Sequence, residues 1–109
     1  MRKYKRPFES LYNVLVASAK LRNFTYMSYQ AFLILTYAEY CSYCGKRLVW
    51  DPQSNRYNLD RIDNRLGYER SNVVPCCSTC NRMKSNFDYD TFIEHCSNIH
   101  ERHGKGGYR

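Results

Sequence analysis

Cys41-Ser-Tyr-Cys-Gly45 and Asn72-Val-Val-Pro-Cys-Cys-Ser-Thr-Cys-Asn-Arg-Met-Lys-Ser85 are the two stretches on which the fold turns. Each contains a Cys-x-x-Cys pair, Cys41/Cys44 and Cys77/Cys80, with residues 45–76 between them. Two intervening residues bring a pair of thiolates to one side of a tight turn. Two such turns supply the four soft ligands that a tetrahedral structural Zn²⁺ prefers. Cys76 offers a second spacing, Cys76-x-x-x-Cys80, but the matched two-residue spacing selects Cys77. Cys96, His100 and His103 fall at helical intervals and read as one face of a helix before they read as a second metal site.

The 109 residues suit one domain with a marginal core, which a bound metal would strengthen. A 43% apolar and 25% charged composition is globular. Lys and Arg outnumber Asp and Glu 17 to 10, and a formal charge of +7 favours a polyanionic partner, nucleic acid before an anionic membrane. No apolar run approaches the length that spans a bilayer, and Met1-Arg-Lys-Tyr-Lys-Arg6 has no apolar segment of a secretory signal behind it. The cytosol is the expected compartment, where cysteines stay reduced and a disulfide framework is disfavoured.

Helical periodicity runs from Phe8 to about Asn23, behind Pro7, with Leu11, Leu15 and Ala19 inward and Val14 and Ser18 alongside. Ser28 is a candidate N-cap for a second helix to about Ala38, bearing Tyr29, Phe32, Leu33 and Thr36 on one face; Leu35 and Tyr37 widen that face, so the helix should be well buried. Lys46–Trp50 suggests a short strand and Asp51–Asn55 a turn. Asn58–Ile62 alternates as a half-exposed strand would, and Val73-Val74 is a second β segment ending at Pro75. A third helix is expected from Ser78 past Lys84. A fourth should be capped by Asp88 or Asp90, with Phe92, Ile93, Cys96 and Ile99 inward. The eleven tyrosines read as edges of an amphipathic core, while Lys3, Lys5, Arg6, Lys20 and Arg22 against Glu9 form a basic face.

Between the cysteine pairs lie Leu59-Asp-Arg-Ile-Asp-Asn64 and Gly67-Tyr68. Asp60 offers a hard carboxylate, and Asn81, near the start of a helix, a neutral amide oxygen. Two such ligands leave most of an octahedral Mg²⁺ shell open to water and phosphate, and such an ion can stabilise a departing oxygen. Arg61, Arg65, Arg70, Arg82 and Lys84 are the cations available to hold a phosphodiester backbone.

The ordered string Cys-x-x-Cys-Gly, Leu-Asp-Arg-Ile-Asp-Asn, Gly-Tyr, Asn-Val-Val-Pro-Cys-Cys-x-x-Cys-Asn-x-x-Lys-Ser resembles the HNH, or ββα-metal, endonucleases, in particular the small zinc-containing phage type. The likeness is close over residues 41–85 and looser over the flanking helices. It implies an α+β domain over residues 1–109: N-terminal helices in 1–40, a zinc-centred ββα-metal core in 41–86, a C-terminal helix in 87–103 and a basic tail in 104–109. It further implies a DNA endonuclease, acting on DNA that is double-stranded, with Cys41, Cys44, Cys77 and Cys80 on structural Zn²⁺ and Mg²⁺ or Mn²⁺ as catalytic metal. By position, Asp60 and Asn81 match the ligands of that metal, and Asn72 matches the Asn that braces the loop around the site. Nucleic-acid contacts fall to Arg61, Arg65, Arg82 and Lys84. One residue departs from the pattern. Where the family has a His as general base, this chain has Arg61, which cannot accept a proton from water. Asp63, Tyr57 or the phosphate itself are candidate replacements. The departure also opens a second reading, a zinc-stabilised DNA-binding module without cleavage; a protein-interaction zinc module is a third, which leaves Asp60 and Asn81 unexplained.

Overall fold

A computed structural model describes residues 6–51 and 58–104. The expectations for Lys3, Lys5, most of the 51–55 turn, Tyr57 and the last five residues of the tail lie outside them. Helix α1 (Glu9–Leu21) and helix α2 (Tyr29–Leu35) precede strand β1 (Leu59–Arg61). A single 3₁₀ turn, Arg70–Asn72, leads into strand β2 (Val73–Pro75), followed by helices α3 (Ser78–Lys84) and α4 (Tyr89–His103). The architecture is α+β with one two-stranded antiparallel sheet, in the register Leu59↔Pro75, Asp60↔Val74 and Arg61↔Val73.

Two packed clusters hold the chain. In the first, Leu11, Leu15 and Ala19 of α1 meet Phe32 and Leu35 of α2, Leu59 and Val73 of the sheet, and Tyr68. The second gathers Cys41, Leu48, Cys76, Cys77 and Cys80. Trp50 packs against both, and its indole N–H donates to Ala38 O at 2.8 Å. Tyrosines close the edges of the first cluster: Tyr12 and Tyr29 bury rings against it while their hydroxyls donate to Met27 O and Pro7 O. Gly67 is required by close approach, because a Cβ there would lie 2.5 Å from Thr25 O, in the strand-like contact between Tyr26 and Tyr68.

Several boundaries differ from the expectations. Helix α1 starts at Glu9 because Phe8 sits at φ 57°, outside helical space, with its ring against Trp50. Glu9 then accepts from the backbone and side chain of Arg6. Helix α2 is capped by Ser28, whose hydroxyl accepts from Ala31 N, but it ends at Leu35. The next residues tighten to i→i+3 bonds, and Ile34 and Tyr37 are exposed, so α2 is buried on one side only. Ser28→Ala is expected to cost about 1 kcal/mol, read as a lower urea midpoint at unchanged slope.

Lys46–Trp50 is no strand. Among the described residues it makes one bridge, Tyr40↔Arg47, with no further segment paired to extend a ladder, and Val49 is exposed. The expected alternation over Asn58–Ile62 also fails. Leu59 and Asp60 are both buried, because α3 covers the face on which a half-exposed strand would present Asp60 to water. Asp88 caps α4 through a bond from Thr91 N, but of the residues expected inward only Phe92 is buried. Cys96 is half-buried and Ile93 and Ile99 are exposed: past its first turn the helix has left the body of the molecule.

Candidate active site and metal centre

The four sulfurs of Cys41, Cys44, Cys77 and Cys80 lie within 4.8 Å of one another, and those of Cys44 and Cys77 are 3.7 Å apart. Zn–S bonds of 2.3 Å in a tetrahedron place sulfurs about 3.8 Å apart, so the cluster can hold zinc with little adjustment. Backbone amides already point at the sulfurs: Tyr43 N to Cys41, Lys46 N to Cys44 and Cys80 N to Cys77, each at 3.4 Å. Gly45, at φ +78°, lets the first knuckle turn back so that Cys41 N reaches Lys46 O.

Burial opposes charge on Cys41, but backbone N–H groups and the Cys44 thiol outweigh it and lower its pKa to about 6. Burial, followed by the neighbouring thiols, pushes Cys80 well up. Cys76 stands apart. It is wholly buried, its Sγ donates to Cys77 O, and burial holds its thiol neutral. Among the described residues no other group of three or more His, Cys, Asp or Glu gathers; Cys96, His100 and His103 simply follow one another along α4.

Asp60 sits mid-strand in β1 and turns into a cleft of about 990 Å³ that Arg61 and Asn81 also line. Its Oδ2 accepts from the Tyr43 hydroxyl at 2.7 Å and faces Lys84 Nζ at 3.3 Å. Burial first, then the bond to Asp60, raises the Tyr43 phenol, so it remains a donor. No described residue bonds to Oδ1 of Asp60. On α3, Asn81 donates from Nδ2 to Leu59 O at 3.5 Å, and no described residue donates to its Oδ1. One carboxylate oxygen and one amide oxygen on one cleft wall fit a hard divalent cation that keeps most of its water.

Asn72 is buried and braces the loop beyond β1. Its Oδ1 accepts from Asp63 N, and its Nδ2 donates to Asp63 O and Gly67 O. Arg61 is tied down too: Nη1 donates to Asn64 O and Leu66 O, each at 2.8 Å, and the guanidinium lies over the rings of Phe24 and Tyr68. Asp63 is a poor proton acceptor, since the Arg65 side chain and amide hold its carboxyl below the usual range.

Lys84 corrects the expected set of phosphate contacts. It is completely buried, with Nζ shared between Asp60 and Arg61 O, and cannot reach a ligand backbone. Arg65 is exposed but forked onto Asp63. Arg82 is exposed, outside the cleft lining. Besides Arg61, the cations that line the cleft with Asp60 are Arg22, Lys46 and Arg47. Lys46 and Arg47 went unnoticed in the sequence, although they directly follow the first knuckle.

No family model matches the chain. Over 60 residues it is 40% identical to an uncharacterized protein of Acanthamoeba polyphaga mimivirus, a match that covers 54% of this chain and 10% of that protein. The chain therefore spans about a tenth of the length of that curated relative. Among solved structures, the rare-cutting HNH restriction endonuclease PacI superposes with a TM-score of 0.60 over 88% of this chain and 79% of its own, at 24% identity. The chain has the HNH endonuclease fold. The β1–β2–α3 unit is the ββα element of that fold, with Asp60 on the first strand, Asn81 on the helix and the cysteine cluster at the base of that helix.

Proposed function

We propose that the protein is a divalent-metal-dependent endonuclease that hydrolyses phosphodiester bonds of double-stranded DNA, built around a structural zinc and working in a host cytosol. The observation that carries this reading is a pair of oxygens, Asp60 Oδ1 and Asn81 Oδ1, to which no described residue donates, on the wall of a basic cleft in an HNH fold. Bound there, Mg²⁺ or Mn²⁺ would polarise a phosphate and ease departure of the leaving oxygen. The chain's own part is positioning. Asp60 is oriented by Tyr43 and Lys84, Asn81 by Leu59 O, and Asn72 fixes the loop behind them. Arg61, held rigid by the loop carbonyls, offers a fixed positive charge to a phosphate and no proton acceptor.

That same rigidity favours a second reading, a DNA-binding module on the nuclease fold. A supercoiled plasmid incubated with Mg²⁺ or Mn²⁺ separates the two. Nicked or linear product supports the nuclease; retarded but intact plasmid under both metals supports the binder. In either case the cleft cations should govern affinity. Lys46→Ala and Arg47→Ala are each expected to weaken binding to all sequences and to flatten the slope of log K against log salt by roughly one. Unchanged slopes would remove the cleft from the DNA path.

A further inference from the structure

Asp60 and Asn81 bring a single negative charge to the proposed metal position, and the protein already spends that charge internally. The Lys84 ammonium lies 3.3 Å from Asp60 Oδ2 with its side chain fully buried, and a second bond, 3.1 Å to Arg61 O, prevents it from swinging aside. Around the same cleft stand Arg22, Lys46, Arg47 and Arg61 against Asp51 and Asp60. A free divalent cation therefore meets no net negative field. Its affinity depends on the charge of its ligands, and here the ligand charge is cancelled before it arrives. A phosphodiester supplies what is missing, a negative charge and a non-bridging oxygen on the open side of the ion.

We propose that Lys84 makes divalent-cation binding conditional on nucleic acid: the cleft takes the polyanion first, and the cation enters a site that DNA and Asp60 complete together. The inference rests on the nuclease reading and deepens it. Lys84 is a positioning and charge-setting residue in this scheme, since it touches Asp60 and never the substrate. Coupling of this kind is reciprocal, so the cation must strengthen DNA binding by the same factor as DNA strengthens cation binding.

Mn²⁺ titration by calorimetry on the zinc-loaded protein tests this, alone and with a hydrolysis-resistant phosphorothioate duplex, using Asp60→Ala/Lys84→Met to subtract manganese held elsewhere. For wild type, the duplex is expected to tighten the Asp60-dependent site by about ten-fold or more. Lys84→Met should bind Mn²⁺ about ten-fold more tightly than wild type without DNA, and the gain on adding duplex should shrink correspondingly. A residue that served packing alone would give a weaker site or an unchanged one. Should zinc content show that Lys84→Met does not fold, Lys84→Gln, neutral and polar, takes its place. Equal Mn²⁺ affinity with and without duplex, or neutral variants no tighter than wild type, overturns the proposal while leaving the nuclease intact. If wild type holds no more manganese than the double variant under either condition, the nuclease reading falls and this proposal with it.

Discussion

Asp60→Ala is expected to lose plasmid cleavage entirely and, with it, about 3–5 kcal/mol of folding stability. The first loss follows from removing the carboxylate that the proposed metal site takes beside Asn81. The second follows from Lys84, which the truncation leaves as a buried ammonium with a single carbonyl partner. A charge so stranded costs far more than the intact pair contributes, because the pair's attraction largely offsets its own desolvation. Asp60→Ala/Lys84→Met should therefore recover most of the stability and none of the cleavage. Urea unfolding of zinc-saturated protein gives the first quantity and plasmid nicking the second. If the single variant is as stable as wild type, the ion pair does not form as described; if it still cuts, Asp60 is no ligand.

Removing the zinc should have a still larger effect. Structural Zn²⁺ in small modules contributes about 10–16 kcal/mol of apparent binding free energy, comparable to or greater than the net stability of a typical domain. The second packed cluster consists of three cysteines of the tetrad together with Leu48 and Cys76, so a zinc bound there would stand where a core would otherwise be. Excess chelator, Cys41→Ser or Cys80→Ser is each expected to abolish the cooperative unfolding transition at ambient temperature. Cys76→Ser should retain about one zinc per chain, since a serine hydroxyl can still donate to Cys77 O. Cys77→Ser should lose it. Metal analysis beside far-ultraviolet circular dichroism checks both, and the reverse pattern would hand the ligand role to Cys76.

What could be read without coordinates was local. Paired cysteines, the Ser28 and Asp88 caps and the Val73–Pro75 strand depend on neighbours a few residues away, and each lies where its pattern placed it. Lys84 was misread for the opposite reason. A lysine among polar residues near a helix end is ordinarily exposed, and only a carboxylate from a distant strand makes its burial tolerable. Asp60 was misplaced in the same direction, since alternation along β1 reports a face and not what covers it. Tyr43 carried one weak signal, its place inside a Cys-x-x-Cys turn, but nothing in that spacing says that its hydroxyl will reach Asp60. Lys46–Trp50 had the composition of a strand, but among the described residues it makes only the Tyr40↔Arg47 bridge, and composition cannot reveal how far a segment is paired.

The two knuckles also differ in how they come into being. The first closes on itself through Cys41 N to Lys46 O and Gly45 N to Cys41 O, bonds that span a few residues and can form within microseconds. The second is moored to the far side of the sheet, where Cys76 N reaches Asn58 O and β2 must first find β1. Joining them closes the interval 45–76, whose entropic cost rises by only about 0.6 kcal/mol for each doubling of length. Refolding is thus expected to wait on the meeting of two distant half-sites, a slower event than closure of the first knuckle on itself.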